Sequence, residues 1–242
     1  MKTGLKIDSG FVQLFRQFET LTANSDPKFK NLFDSYEAAF KNSRSKRVGS
    51  TPHLDVLTLF GLAEDELRHS RVLSWFLRPD AEHEQGAIFT QALLRLVAGK
   101  QIPELINAAT NENYIVEREK HARTDVSIYQ RNAFAIFIEN KVHASERTDQ
   151  VKDMINALVR LADAQRVPKR YRFAVFLTDD GRDPESRSSS DAAFDPNNLK
   201  ALSRVEVFHS FENALNSQPV ASPLLKSLLS SYLHAIRQLP SL

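Results

Sequence analysis

The sequence predicts an α/β protein whose central β-sheet is mixed, with parallel and antiparallel strands, and is flanked by helices. Two short segments are almost wholly apolar, Phe134–Ile138 and Phe173–Leu177, and the stretch between them has helical periodicity. A strand, a helix and a second buried strand form a crossover connection, so these two strands are expected to be parallel. Upstream, three strand candidates are joined by short turns, which predicts an antiparallel meander.

Composition indicates a soluble globular protein. The chain has 242 residues, of which 42% are hydrophobic and 26% charged, the values of an ordinary soluble domain. Its net charge of +2 argues neither for nor against a nucleic-acid partner. The absence of cysteine excludes disulfides and thiolate metal sites. We find no signal peptide and no apolar run near the ~20 residues that span a bilayer, and we expect a cytoplasmic protein.

The N-terminal part is predicted to be helical. Apolar residues at helical spacing over residues 9–41, interrupted by Asp26-Pro27, indicate two amphipathic helices in a hairpin. The basic segment 41–50 is either a solvated loop or a phosphate contact. We therefore expect two regions, a helical hairpin with a basic linker over residues 1–50 and a second domain over 51–242.

The first helices of the second domain carry an unusual polar pair. Thr51-Pro52 predicts a helix that ends at Gly61, and Ala63–Leu77 predicts the next one. Glu66 and His69 interrupt the apolar stripe of that second helix. Inward polar residues need partners, so this pair is either a structural hydrogen-bonding pair or part of a site.

The remaining elements follow from the change of hydrophobic period along the chain. A further helix is predicted over 84–98. Strands are predicted over 113–120, 123–130, 134–141, 172–178 and 205–208, helices over 145–164 and 222–239, and a mobile loop over 180–198. For Phe134–Ile138 a helix is the competing interpretation, but β-branched and aromatic content and the preceding Arg131-Asn132 turn favour a strand.

Charged residues at the end of the central strand indicate a site. Glu139 and Lys141 are two residues apart and project to the same face of a strand, and Asp125 lies on the neighbouring strand. Two carboxylates that face each other repel unless a proton or a cation separates them. Mg²⁺ or Mn²⁺ would suit two carboxylates and one main-chain carbonyl. The alternative is a cross-strand ion pair on an exposed strand end, and the spacing does not decide between them.

The segment from about residue 51 to 180 resembles the PD-(D/E)XK nuclease superfamily, most closely a helix-rich prokaryotic branch. The order and spacing of the shared residues carry the resemblance. They are Glu66-Leu67-Arg68-His69-Ser70, Leu73-Ser74-Trp75, Pro79, His83, Gly86, Arg123-Thr124-Asp125, Ile138-Glu139-Asn140-Lys141, Glu146, Gln150 and Phe176-Leu177-Thr178.

The resemblance implies a restriction-endonuclease-like core of order α-β-β-β-α-β and a metal-dependent nuclease. By match, Asp125 and Glu139 would bind the metal, Mg²⁺ or Mn²⁺, with the Asn140 carbonyl as a third ligand. Lys141 would be the catalytic lysine. Glu66 would be an auxiliary acid that also serves as a metal ligand.

Three further residues are assigned to the substrate side of the site, namely Gln150, His69 and Arg123. The chain departs from the family pattern at Thr124, where proline is common, and at Met154, where tyrosine is frequent.

The leading interpretation is therefore metal-dependent hydrolysis of phosphodiester bonds, with DNA as the expected substrate. The rival is a catalytically inactive nucleic-acid-binding or assembly module that retains the fold. Complete Asp125, Glu139 and Lys141 favour the enzyme, because a binding module has no need of all three. The sequence indicates no membrane partner and is compatible with a homodimer.

Overall fold

A computed structural model describes residues 65–99, 102–121, 124–141, 149–185, 192–219 and 222–238. The predicted N-terminal hairpin, the linker and the helix at Thr51-Pro52 lie outside these residues, so the proposed division at residue 50 stays a prediction. No helix in the described ranges combines the length and the apolar character that crossing a membrane requires.

The described chain forms six α-helices and five β-strands. The helices are α1 (Glu66–Leu77), α2 (Ile88–Val97), α3 (Ile102–Thr110), α4 (Gln150–Ala164), α5 (Arg204–Asn216) and α6 (Pro223–Arg237). The strands are β1 (Ile115–Arg118), β2 (Val126–Gln130), β3 (Phe134–Asn140), β4 (Arg172–Thr178) and β5 (Leu199–Ser203). Short 3₁₀ turns precede β4, at Lys169–Tyr171, and β5, at Pro196–Asn198.

The strands form one mixed sheet in the order β1-β2-β3-β4-β5. The pairs β1–β2 and β2–β3 are antiparallel, whereas β3–β4 and β4–β5 are parallel. Every residue of β3 and of β4 is buried. The predicted α/β class, the mixed sheet and the central position of β3 are confirmed. The core order α1, β1, β2, β3, α4, β4 reproduces the expected α-β-β-β-α-β sequence, with α2 and α3 inserted after α1.

Helices cover both faces of the sheet. Successive residues of a strand point to opposite faces; the Asn140 side chain contacts α1 and α5, and Glu139 contacts α4. The helices α2 and α6 pack on α5 and belong to the α1 side. Aromatic rings fill that side, where Phe76, Phe89, Phe208 and Phe211 contact one another with ring centroids 5.0 to 6.0 Å apart.

The secondary-structure assignment needs correction in three places. The segment 205–208 is not a strand but belongs to α5, because Ser203 and Glu206 form a capping box that begins a helix there. The fifth strand lies just upstream, at Leu199–Ser203. The helix α3 had no counterpart in the sequence-based assignment. The strands β1 and β2, of four and five residues, are shorter than predicted.

A candidate active site at the carboxyl end of the central strand

Asp125 and Glu139 meet at one end of the sheet. The antiparallel register pairs Val126 with Ile138, so Asp125 lies one step further along, opposite Glu139. The main-chain N–H of Asn140 donates to Asp125 Oδ2 at 2.7 Å and fixes that carboxylate against β3. Both carboxylates are buried. The structure thus brings together the two acids that the sequence analysis paired.

Burial makes this pair of carboxylates electrostatically costly. It raises the pKa of Asp125 from 3.8 to about 6, against the stabilising hydrogen bond from Asn140. It also raises the pKa of Glu139 from 4.5 to about 7, and the nearby charge of Asp125 adds to that increase. Lys141 opposes both shifts without cancelling them. The site therefore carries negative charge that the surrounding protein does not fully compensate.

Lys141 connects the Glu139 carboxylate to the first core helix. Its Nζ lies 3.1 Å from Glu139 Oε1 and 3.8 Å from Glu66 Oε2. Glu66 is the first residue of α1, and its side chain is 28% exposed, so it lies at the mouth of the site. Glu66 approaches the buried pair through Lys141, and its charge contributes to the raised pKa of both Asp125 and Glu139.

Gln150 reaches the site from the opposite face of the sheet. It is the first residue of α4, it is buried, and its side-chain amide donates to Glu139 Oε1. Lys141 contacts the same oxygen. Gln150 therefore orients a carboxylate in this structure, and its assigned contact with substrate stays a prediction. Met154, one turn further, is buried in the core.

The described side chains supply two carboxylates as ligands for a hard divalent cation, and the other ligands would have to be a main-chain carbonyl and water. Within the described ranges, no three side chains from His, Cys, Asp and Glu are grouped so that they could hold a metal ion. The geometry therefore offers the Asp125 and Glu139 carboxylates, with the Asn140 carbonyl and water as the remaining oxygen ligands. Uncompensated negative charge on two adjacent carboxylates is what a cation would neutralise. On these grounds the two carboxylates and the Asn140 carbonyl fit Mg²⁺ or Mn²⁺, whereas the assignment of Glu66 as a metal ligand stays a prediction.

A buried polar cluster behind the site was not anticipated from the sequence. The Asn140 side chain donates to Ser70 Oγ at 3.0 Å and to the Glu66 carbonyl at 3.3 Å, and accepts from Arg204 Nη1 at 2.7 Å. Arg204 is the first residue of α5 and is bonded to Asp179, just after β4. Arg204 and Asn140 are 64 residues apart in the chain, and no local motif marks such a contact.

Two of the predicted substrate-contacting residues are placed differently or not at all. His69 is 2% exposed, and its Nδ1 lies 2.6 Å from the hydroxyl of Tyr232 in α6. It joins two helices, so a direct contact with substrate, although still a prediction, is not favoured by this position. Arg123 lies outside the described residues.

A groove lies between α1 and the edge strand β1. Glu66 is the first residue of α1, and at the other end of that helix the Tyr114 hydroxyl donates to the Leu77 carbonyl. The cavity has a volume of about 740 Å³, and its lining includes Arg71, Trp75, Arg78, Ile115 and Arg118. Arg71 is exposed and forms no ion pair with any residue in the described part of the chain. Arg118 Nε is buried and, in the same part, lacks a hydrogen-bond partner.

Comparison with known proteins agrees with this geometry. The model of a protein family described as the PD-(D/E)XK nuclease superfamily matches residues 54–234, most of the chain. The match includes all the residues of the site described above, together with the helix α5 and most of α6. Neither a curated protein nor a solved structure gives a significant match.

Proposed function

The chain belongs to the PD-(D/E)XK nuclease superfamily. From this premise we propose that it is a divalent-metal-dependent nuclease that hydrolyses phosphodiester bonds, with DNA preferred over RNA as the substrate. The observation that supports the proposal most is the pair of buried carboxylates, Asp125 and Glu139, beside Lys141 at the carboxyl end of β3. In open α/β sheets this edge is where ligands bind.

Asp125, Glu139 and the Asn140 carbonyl would hold Mg²⁺ or Mn²⁺. A bound divalent cation neutralises charge that develops on the phosphoryl oxygens and makes a water ligand easier to deprotonate. Two hydrogen bonds hold these carboxylates in place. The Asn140 N–H donates to Asp125, and the Gln150 side-chain amide donates to Glu139. Fixed carboxylates need little reorganisation during the reaction, which is the general origin of electrostatic catalysis.

Lys141 is proposed as the catalytic lysine. Its ammonium lies against Glu139 and near Glu66, so in this structure it is held by two carboxylates. In that position it would orient the attacking water and stabilise the negative charge of the pentacovalent phosphorus. Glu66 is more exposed than the buried pair and is proposed to accept a hydrogen bond from that water.

The groove between α1 and β1 is proposed to bind a strand of the nucleic acid. Three arginines line it, and one of its walls is α1, the helix that begins with Glu66. Two of these, Arg78 and Arg118, are engaged with Asp80 and Glu119, so Arg71 contributes the cation that is available to a phosphate. Partly buried Trp75, on the same wall, provides an aromatic surface of the kind on which bases stack.

The proposal is tested by cleavage assays on three proteins purified identically: wild type, Glu139→Gln and Lys141→Met. Each is assayed with Mg²⁺, Mn²⁺ and Ca²⁺ on duplex and single-stranded DNA and RNA. Wild type should cleave with Mg²⁺ or Mn²⁺. Glu139→Gln should lose metal binding and cleavage together. Lys141→Met should still bind metal, while cleavage slows by ~10²-fold or more because a transition-state contact is lost.

Equal cleavage by all three proteins would indicate a contaminating nuclease and would contradict the proposal. Nucleic-acid binding without cleavage by wild type, under every metal condition, would support the rival function, a binding or assembly module that retains the fold. The near-isosteric Glu139→Gln change suits this comparison because it removes the charge while it leaves the packing of β3 in place.

A further inference from the structure

Arg204 is the largest fully buried side chain in the described part of the protein, with 1% exposure. Its guanidinium lies directly behind the last residues of β3. Nε donates to Asp179 Oδ1 at 2.9 Å, Nη1 to Asn140 Oδ1 at 2.7 Å, and Nη2 to the Lys141 carbonyl at 2.9 Å. Nη2 also contacts Asp179. One arginine thus bonds the two residues that follow Glu139 and one acidic residue from the end of the neighbouring strand.

A buried ion pair is a poor device for stability alone. Removing two charges from water costs more than their attraction usually returns, so well-packed apolar residues would stabilise the fold at least as well. An arginine also imposes hydrogen-bond geometry, because the donors of its planar guanidinium have fixed directions. Here two of those donors bind the side-chain oxygen of Asn140 and the main-chain oxygen of Lys141, the two residues that follow Glu139.

The other contacts of this segment explain what Arg204 completes. The Lys141 N–H donates to the Leu177 carbonyl of β4 at 2.8 Å. The Asn140 N–H is bonded to Asp125, and the Asn140 amide group is bonded to Ser70 and the Glu66 carbonyl. Arg204 holds the Lys141 carbonyl, one residue after the end of β3. Without that bond, the Lys141 carbonyl could rotate away from its position beside the sheet.

We propose that Arg204, itself held by Asp179, is a positioning residue for catalysis, and we call the two together the Arg204 clamp. The clamp fixes the Asn140–Lys141 segment, so that the Asn140 carbonyl faces the proposed metal position and the Lys141 ammonium stays beside Glu139. Arg204 does not contact substrate in this account; it acts through Asn140 and Lys141. The role in catalysis rests on the proposed nuclease function, whereas the constraint on the backbone does not.

The test removes both members of the clamp at once, in the variant Arg204→Met/Asp179→Leu, so that no unpaired charge stays buried. Arg204→Lys is the conservative companion, since it keeps the charge but loses the fork of donors. The matched control is Arg172→Met. Arg172 is likewise buried, bonds the Val167 carbonyl at 2.8 Å and pairs with Asp163, but lies at the opposite end of β4.

Two readouts are taken on each protein. The first is amide hydrogen exchange, resolved at Asn140, Lys141 and the mid-strand Ile136. The clamp variant should lose at least ~10-fold protection at 140 and 141 relative to Ile136, because local opening at the strand end becomes easier. Arg172→Met should change the three amides together or not at all. Unchanged relative protection at 140 and 141 would overturn the proposal.

The second readout is steady-state cleavage with Mg²⁺. The clamp variant should lower kcat ~10²-fold, the effect of misplacing reacting groups by about 1 Å, while KM stays within about two-fold because the groove is untouched. Arg204→Lys should lie in between, and Arg172→Met should keep the wild-type kcat. An unchanged kcat in a clamp variant that has lost protection would also overturn the proposal. Wild-type protein that cleaves no nucleic acid would defeat the proposed function, and hydrogen exchange would still decide whether the clamp exists.

Discussion

At the scale of single residues, the central physical feature is a pair of carboxylates whose ionisation the fold disfavours. The pKa of Asp125 is raised to about 6 and that of Glu139 to about 7, first of all by burial. A folded-state pKa above the unfolded value means that the folded protein binds protons more readily. The stability from these groups is therefore complete below about pH 4 and is lost as pH rises through 6 and 7.

This titration predicts the pH dependence of metal binding. Protons and a divalent cation compete for the same oxygens, so the affinity for Mn²⁺ should increase from pH 5.5 to pH 8. Isothermal titration at several pH values measures it. The rise in melting temperature on adding the metal should grow over the same range. Glu139→Gln should flatten both trends, and an affinity independent of pH in the wild type would contradict the assignment of these carboxylates as ligands.

Arg71 gives a second prediction at this scale. If it contacts a phosphate in the groove, Arg71→Ala should raise KM and lower the slope of log K against log salt by about one, with kcat unchanged. Arg95→Ala is the matched control, because Arg95 is an exposed arginine on α2 away from the groove. Fluorescence anisotropy with labelled DNA across a salt series measures the slope. Equal losses in the two variants would argue against a specific groove.

Site residues that belong to local sequence patterns could be predicted from the sequence. Site residues that only the fold brings together could not. The short distances along the chain from Asp125 to Glu139 and Lys141 made that grouping predictable. Arg204 has no such signal, because its partners Asp179 and Asn140 are 25 and 64 residues away. The inward stripe of α1 correctly marked His69 as buried and polar, but its partner, Tyr232, is 163 residues distant.

At the scale of elements, strand and helix assignments were most successful where apolar periodicity was strong. The bounds of β4 were predicted as they are found, and β3 is one residue shorter than predicted. Errors arose where capping or tertiary contacts decide. The segment 205–208 was predicted to be a strand, yet the Ser203-x-x-Glu206 pattern, readable in the sequence, begins a helix. The strand β5 carries no clear alternation, since only its first and fourth residues are buried.

The capping box supplies a prediction for α5. Ser203 Oγ accepts from the Glu206 N–H, and the Glu206 carboxylate accepts from the Ser203 N–H. Ser203→Ala should lower the free energy of unfolding by ~1 kcal/mol, the usual value of an N-cap, as measured by urea denaturation. Ser203→Thr should retain most of it. Ser217→Ala, at the exposed C-terminal end of the same helix, should have little effect, and a comparable loss there would contradict the capping argument.

At the scale of the whole molecule, the C-terminal helices belong to the same core as the sheet. The helix α6 buries Leu225, Leu229, Leu233 and Ile236, and the hydroxyl of Tyr232 contacts His69 on α1. Because α1 also carries Glu66, packing of α6 supports the position of the residue proposed as the auxiliary acid. The family match to residue 234 is consistent with this unity, since it extends almost to the end of α6.

Truncation tests whether α6 is part of the same core as the sheet. A chain that ends at Gln218 loses α6, and each large apolar side chain removed from a core costs ~2–5 kcal/mol. The combined loss for the four side chains named above is as large as the ~5–15 kcal/mol that stabilises a typical domain, so this chain should show no cooperative thermal transition in circular dichroism. A chain that ends at Gln238 keeps α6 and should melt like the full-length protein. Cooperative melting of the shorter chain would mean that α6 is an appendage.

The central claim is that Asp125 and Glu139 hold a catalytic divalent cation at the carboxyl end of β3. The most direct measurement is an anomalous difference map from crystals of the full chain soaked in Mn²⁺, collected for wild type and for Glu139→Gln under the same conditions. The account predicts one strong peak in the wild type, within bonding distance of a carboxylate oxygen of each residue and of the Asn140 carbonyl, and no peak there in the variant. Wild-type crystals that bind Mn²⁺ elsewhere, or that keep the same peak after Glu139→Gln, would contradict it.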